Sequence, residues 1–390
     1  MTASTDLHHH RQQFPSLQQG HYFNFGGQGP MAEVALNAIS TAHDKFQKLG
    51  PFSGRVNAWI GEQMAAVRGA IAAELQVAPD TITLTDSVTT GCNIPLWGIN
   101  WQAGDHILLS DCEHPGIIAT VQELQHRFGI TYSTCPLRET LNGGDPVAVV
   151  KNALQTETRL LVVSHILWNT GQVLPLRQMV EVCHSRSAQV LVDAAQSVGV
   201  LPLNLAELGA DFYAFTGHKW LCGPAGLGGL YVHPADAGSI RPTFIGWRGV
   251  TKDAAGNPTG YLSDGRRFEI ATSDYALYPG LREAIALQNS WGSADDRYRR
   301  ICERSAYLWQ GLQSIPRVRC LRGAPPESGL VSFVIEPQEM PHNQVVAELE
   351  QQHIMVRKIL DPDCIRACTH YMTTKAEVDV LVTTLGQILA

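Results

Sequence analysis

The stretch YAFTGHKWLCGPAGLGGLYV, residues 213–232, holds one lysine among small and apolar residues. Lys219 follows a strand-like run and precedes a glycine-rich turn, a place where charge is expensive. Burial lowers the pKa of an ammonium, and the free amine it leaves is a nucleophile toward aldehydes. Further polar groups stand at the ends of other apolar runs. Asp193 in DAAQ ends one of them, with Gln196 three residues on. Thr89 and Thr90 in TDSVTTGCN precede a predicted helix start, where hydroxyls and open amides suit a phosphate. His114 stands before a Pro-Gly turn in CEHPG, and Asn169 occupies a turn in WNTG. Thr216 and His218 flank the lysine.

The set matters more than any member. A hidden amine can form an imine, and a buried carboxylate can keep a heterocyclic nitrogen protonated. A helix start can hold a phosphate, and an imidazole can cover a planar ring. Together these demands describe pyridoxal 5′-phosphate. GPAGLGGL is no dinucleotide loop, because it precedes a strand instead of following one.

The elements that must position these residues are legible as well. Apolar runs at 81–87, 105–111, 159–167, 188–196, 211–217 and 227–233 read as buried strands. Amphipathic stretches at 116–128 and 176–187 lie between some of them, the pattern of a mostly parallel α/β sheet. Beyond residue 280 come long helical segments over 279–315, interrupted near WGSADD, and a strand at 329–337. A helix around 343–352, the segment HIMVRKIL and a helix at 375–389 complete a smaller α+β unit. The expected division is a large domain over 20–290 and a small one over 291–390, with 1–19 packing against the latter.

Composition narrows the function. The 390 residues are 44% hydrophobic and 17% charged with a net charge of −7, and no long Lys/Arg cluster is present. Neither nucleic acid nor a membrane is expected as partner. The nine cysteines are scattered without a CxxC, which fits free thiols in the cytoplasm better than disulfides or a metal site. HHH at 8–10 reads as a solvated tail.

From YFNFGGQGPM nearly to the C-terminus, the chain resembles the class V aminotransferase-like group of fold-type I PLP enzymes, in the cysteine desulfurase and lyase branch. TDSVTTGCN, CEHPGII, VSHILWNTGQVLPL, VLVDAAQSVG, FTGHKWLCGPAGLG and CIRACTHYMTTKAEVDVLV carry the likeness. The resemblance implies that Lys219 carries the cofactor as an imine, Asp193 pairs with its ring nitrogen and His114 stacks on its ring. It places Gln196 near the phenolic oxygen and Thr89, Thr90, Thr216 and His218 at the phosphate. Thr272 matches a position that reaches a phosphate across a homodimer interface, and Arg366 one that grips a substrate carboxylate. Asn169 is shifted by one residue from the usual asparagine, and Trp247 and Arg248 are expected to line the pocket from the neighbouring subunit.

One departure bears on the reaction. Sulfur-passing desulfurases use a cysteine on a mobile loop before the carboxylate-binding arginine. Here VRKILDPDCIRAC runs directly from Arg357 to Arg366 and leaves no room for it. Cys364 is expected beside Arg366 as a packed thiol. The expected reaction is therefore β-elimination of L-cystine or L-cysteine, with release of persulfide or sulfide to a sulfur-acceptor protein, as in iron–sulfur assembly. Desulfuration to alanine is the alternative. Arg357 is the expected partner of cystine's second carboxylate, against the plainer reading of a surface salt bridge.

Overall fold

The computed structural model describes residues 7–337 and 340–390. In chain order the first strands are β1 (His21–Tyr22), β2 (Ile82–Thr85), β3 (His106–Ser110) and β4 (Thr131–Cys135). Then come β5 (Thr158–Ser164), β6 (Gln189–Asp193), β7 (Phe212–Thr216) and β8 (Gly228–Val232). The large sheet has the order β2–β8–β7–β6–β5–β3–β4. Its strands β3 to β7 run parallel, and β8 is antiparallel to both neighbours. Along β6, Val190 and Val192 enter the core on one face and Leu191 the core on the other. Burial on both faces abolishes alternation, which is why these strands read as unbroken apolar runs.

Helices cover both faces. Leu176–His184 buries Leu176, Met179, Val180 and Cys183, the three-four spacing of one helical face. Strand β4, TYSTC, was not expected from the sequence. It lies at the sheet edge and stays largely uncovered, so it needs no apolar run.

Strands β9 (Val250–Lys252) and β10 (Pro258–Tyr261) form an outlying hairpin. Strands β11 (Val318–Cys320), β12 (Leu330–Ile335), β13 (Ile354–Met355), β14 (Arg357–Ile359) and β15 (Cys364–Cys368) follow. An antiparallel sheet β11–β12–β15–β14 packs against helices Ala294–Gln313 and Lys375–Leu389. Strand β1 pairs with β13, and Phe23 joins this second core.

The N-terminal helix Leu7–Gln12 docks on the same region, with Arg11 Nη2 donating to Glu377 Oε1 at 2.8 Å. Residues 1–6 of the segment expected to pack there lie outside the described residues. The solvated-tail expectation fails at His10, which is 2% exposed and hydrogen-bonds the Tyr371 hydroxyl at 2.9 Å. The helix turns this imidazole inward, and burial lowers its pKa to about 4. No helix among the described residues is long and apolar enough to cross a membrane.

Candidate active site

Parallel pairing gathers the polar strand ends. Ser164 of β5 lies level with Asp193 of β6, and Asp193 with Ala214 of β7. Their carboxyl ends therefore open on one edge of the sheet, where ligands collect in this architecture. Asp193 is 7% exposed, and its Oδ1 accepts the Ala195 N–H at 2.9 Å.

Lys219 follows β7 on a loop folded back by two backbone bonds, Gly217 N–H to Leu227 O and Gly223 N–H to Gly217 O, each 2.9 Å. The FGGQG segment crosses this loop, with Gly29 N–H donating to His218 O at 2.7 Å. A Cβ on Gly29 would stand 2.1 Å from Lys219 O, so the two backbones touch only because glycine is there. Burial lowers the Lys219 ammonium from 10.5 to about 8; Asp193 opposes this, while Arg366 and Arg357 add to it. An amine hidden among apolar residues thus has a neighbourhood that favours its uncharged form.

His114 does not precede a free turn. It N-caps helix Pro115–Phe128, its Nδ1 accepting the Gly116 N–H at 3.2 Å, with Pro115 at the first helical position. With Nδ1 an acceptor, the neutral ring carries its proton on Nε2. Burial lowers the imidazole pKa, with Lys219 and Arg357 pushing the same way against Asp193. Nor do Thr89 and Thr90 precede their helix. Ser87 caps helix Val88–Gly98 by accepting the Thr90 N–H at 3.1 Å, and both threonines lie in its first turn. Thr216 Oγ1 and His218 Nδ1 hydrogen-bond each other at 2.7 Å. Gln196 is held at both ends, Nε2 donating to Gly26 O at 3.0 Å and Oε1 accepting from Trp220 Nε1 at 2.8 Å.

The C-terminal sheet contributes the cations. Arg366 on β15 is 1% exposed and donates through Nη1 to Trp168 O at 2.6 Å. Its Nε and Nη2 are buried without a hydrogen-bond partner. A buried guanidinium with two unpartnered nitrogens has the planar fork that suits a carboxylate. A Cβ on Gly26 would lie 3.0 Å from Arg366 Nη2, so this glycine keeps the space beside it open. Asn169 has 1% exposure, donates through Nδ2 to Asp361 O at 3.1 Å and leaves Oδ1 unpartnered. Strand register sets Arg357 opposite Arg366. Arg357 is exposed at the start of β14, where partial desolvation and the Arg366 guanidinium lower its pKa.

The four-residue turn Leu360–Asp363 joins β14 to β15 and is tied down by Arg138, which donates to both Asp361 carboxylate oxygens at 2.8 and 2.9 Å. Cys364 is fully buried in β15, and burial pushes its thiol up to about 12. Thr272 and Trp247 stand apart from Lys219 on an exposed rim. Thr272 shares with Thr90, Asn93 and Arg248 a cavity of about 230 Å³ that Lys219 and Asp193 do not line. Trp247 is 54% exposed beside Phe244 and Ile245, with the Arg248 guanidinium 4.8 Å from its ring. Among residues that sequence reasoning passed over are Gly26, Gly29, Glu113 and Trp168. The quoted FGGQG and CEHPG motifs contained the first three.

The model of the aminotransferase class-V family matches residues 50–381. The chain belongs to the aminotransferase class-V family. A probable cysteine desulfurase of Mycolicibacterium paratuberculosis is 30% identical over 271 residues, 67% of this chain and 38% of the relative. The chain thus spans well under half of that relative's length. The cystine C-S lyase C-DES, solved with its reaction product cysteine persulfide, is 51% identical with a TM-score of 0.94. That match covers 96% of this chain and 99% of C-DES. A lysine-to-alanine C-DES mutant with glycine covalently linked to the PLP cofactor gives a TM-score of 0.95, also at 51% identity, covering 96% of this chain and 98% of that one.

As a class V aminotransferase the chain is a PLP enzyme, and its own residues fit that group. The depressed Lys219 amine suits an aldehyde, the Asp193 carboxylate a pyridine nitrogen, and the first turn of helix Val88–Gly98 a phosphate.

Proposed function

We propose that the chain is a PLP-dependent carbon–sulfur lyase that eliminates the β-sulfur of L-cystine or L-cysteine. With cystine, one substrate and one water yield cysteine persulfide, pyruvate and ammonia. The bound cofactor supplies an electron sink for the pair left when the Cα proton departs. Lys219 would hold the cofactor, and its free amine would accept the Cα proton on Nζ; an amine poised near about 8 suits a base at neutral pH. Asp193 keeps the ring nitrogen protonated, and neutral His114 covers the ring face. Thr89, Thr90, Thr216 and His218 would hold the phosphate, Gln196 would serve the phenolic oxygen, and Asn169, tied to Asp361 O, would contact the cofactor. Arg366 binds the α-carboxylate through its unpartnered Nε and Nη2, and Arg357 the second carboxylate of cystine.

The burial of Cys364 carries the choice of elimination. A thiol fixed in a strand and held mostly protonated cannot swing to the reacting sulfur as a carrier. We further propose a homodimer in which the apolar rim of Phe244, Ile245 and Trp247 is covered and Thr272 serves a phosphate across the interface. The division into a domain over 20–290 and one over 291–390, a cytoplasmic setting and a sulfur-acceptor partner for iron–sulfur assembly belong to the same proposal. The test is product analysis on cystine and cysteine. Pyruvate with equimolar ammonia supports the lyase; alanine supports the desulfurase.

A further inference from the structure

We infer that Glu113 is a positioning residue: a buried carboxyl that clamps the His114 loop to the strand end beside Asp193. The inference rests on reading Asp193 and His114 as the groups that flank the cofactor ring.

The Glu113 side chain is 4% exposed. Its Oε1 accepts from Ser110 Oγ and from the Ser164 N–H, the latter at 2.9 Å, and Oε2 meets Ser164 Oγ at 3.0 Å. Ser110 ends β3 and Ser164 ends β5, so one carboxyl bridges two neighbouring strands. Glu113 immediately precedes His114, and Ser164 lies level with Asp193. The loop that carries His114 and the strand end level with Asp193 are thereby tied to one buried side chain.

The clamp holds no ion pair. The titratable groups facing Glu113 are Asp193 on β6, Cys92 on helix Val88–Gly98 and Cys135 on β4. None of them is a cation, and its hydrogen-bond partners are hydroxyls and an amide. A carboxylate buried without a positive partner takes up a proton. Burial accordingly raises Glu113 from 4.5 to about 8, with Asp193 adding to the rise against the hydrogen bonds. As an acid it donates through Oε2 to Ser164 Oγ while Oε1 still accepts twice. The loop is fastened, and the negative charge offered to the ring nitrogen remains that of Asp193.

Glutamine reproduces this pattern, an amide donating where the acid does, whereas leucine deletes it. Glu113→Gln and wild type are melted as apo proteins between about pH 5 and 9. A group raised in the folded state stabilises fully below its ordinary value, and that stability is lost as pH climbs through about 8. Wild type should therefore lose folding equilibrium relative to Glu113→Gln by up to about tenfold per pH unit across that window, then level off. Affinity for pyridoxal 5′-phosphate should fall in Glu113→Leu and be restored in Glu113→Gln. A Tm difference independent of pH overturns the inference, as does a Glu113→Leu protein that binds the cofactor like wild type. The melting arm needs no cofactor, so it separates this inference from the reading of the site, which borohydride trapping at Lys219 tests independently.

Discussion

Asp193 and Lys219 act on each other in a direction that can be measured. The environment moves the Lys219 ammonium from 10.5 to about 8, which at pH 7 raises the free-amine fraction about 300-fold over an exposed lysine. Asp193 restrains that shift, because a nearby carboxylate favours the ammonium. Asp193→Asn should therefore lower the Lys219 pKa further and hasten imine formation at pH 7. Turnover should move the opposite way, kcat/KM falling by about 10²–10³-fold as the ring nitrogen loses its charged partner. The assay follows the visible band that develops when apo protein meets pyridoxal 5′-phosphate between about pH 6 and 10, with borohydride trapping to confirm Lys219 as the site. Wild type should inflect near about 8, Asp193→Asn below it, and Arg366→Met above it because Arg366 pushes the lysine down. An inflection near 10.5 in wild type, or an upward move in Asp193→Asn, refutes the reasoning.

Other perturbations test the remaining parts of the site. Arg357→Ala should raise KM for cystine by about 10–100-fold and leave cysteine within about threefold; equal effects in steady-state kinetics with both substrates sink the second-carboxylate role. Cys364→Ala should keep cystine turnover within about twofold, since its buried thiol only fills space, whereas a hundredfold loss would mark it as a sulfur carrier. Gly29→Ala drives a methyl against Lys219 O and should cost about 1–3 kcal/mol or more, read as a lower denaturant midpoint together with weaker cofactor loading; an unchanged midpoint would show that the crossing is loose.

The large sheet was legible because two-sided burial leaves apolar runs at β2, β3 and β5 through β8, those of β2, β3 and β5 through β7 ending in a polar residue. β4 was not, because an edge strand half in solvent carries no such run. Lys219 and Asp193 stood out as charges in apolar settings, a conflict visible in a linear string, whereas Arg366 entered only through the family resemblance. The helix start placed after Thr90 and the turn placed after His114 were both off, since a cap is defined by backbone geometry that Ser, Thr and His types only hint at. His10 looked like tail because its burial depends on Phe14 and on Tyr371, which lies 361 residues away.

The amino-acid string by itself determined the chemistry on offer: an amine, a carboxylate and an imidazole just after apolar runs, and too few residues between Arg357 and Arg366 for a swinging cysteine loop. Only the tertiary structure decided what those groups are. Parallel register brings Asp193 level with Ser164, a glycine crossing lays FGGQG against the lysine loop, and β15 delivers Arg366 with two nitrogens unanswered. The physical reason is that protonation and hydrogen-bond satisfaction depend on solvent exclusion and on distances of a few ångströms between residues far apart in the chain, which a residue order does not contain.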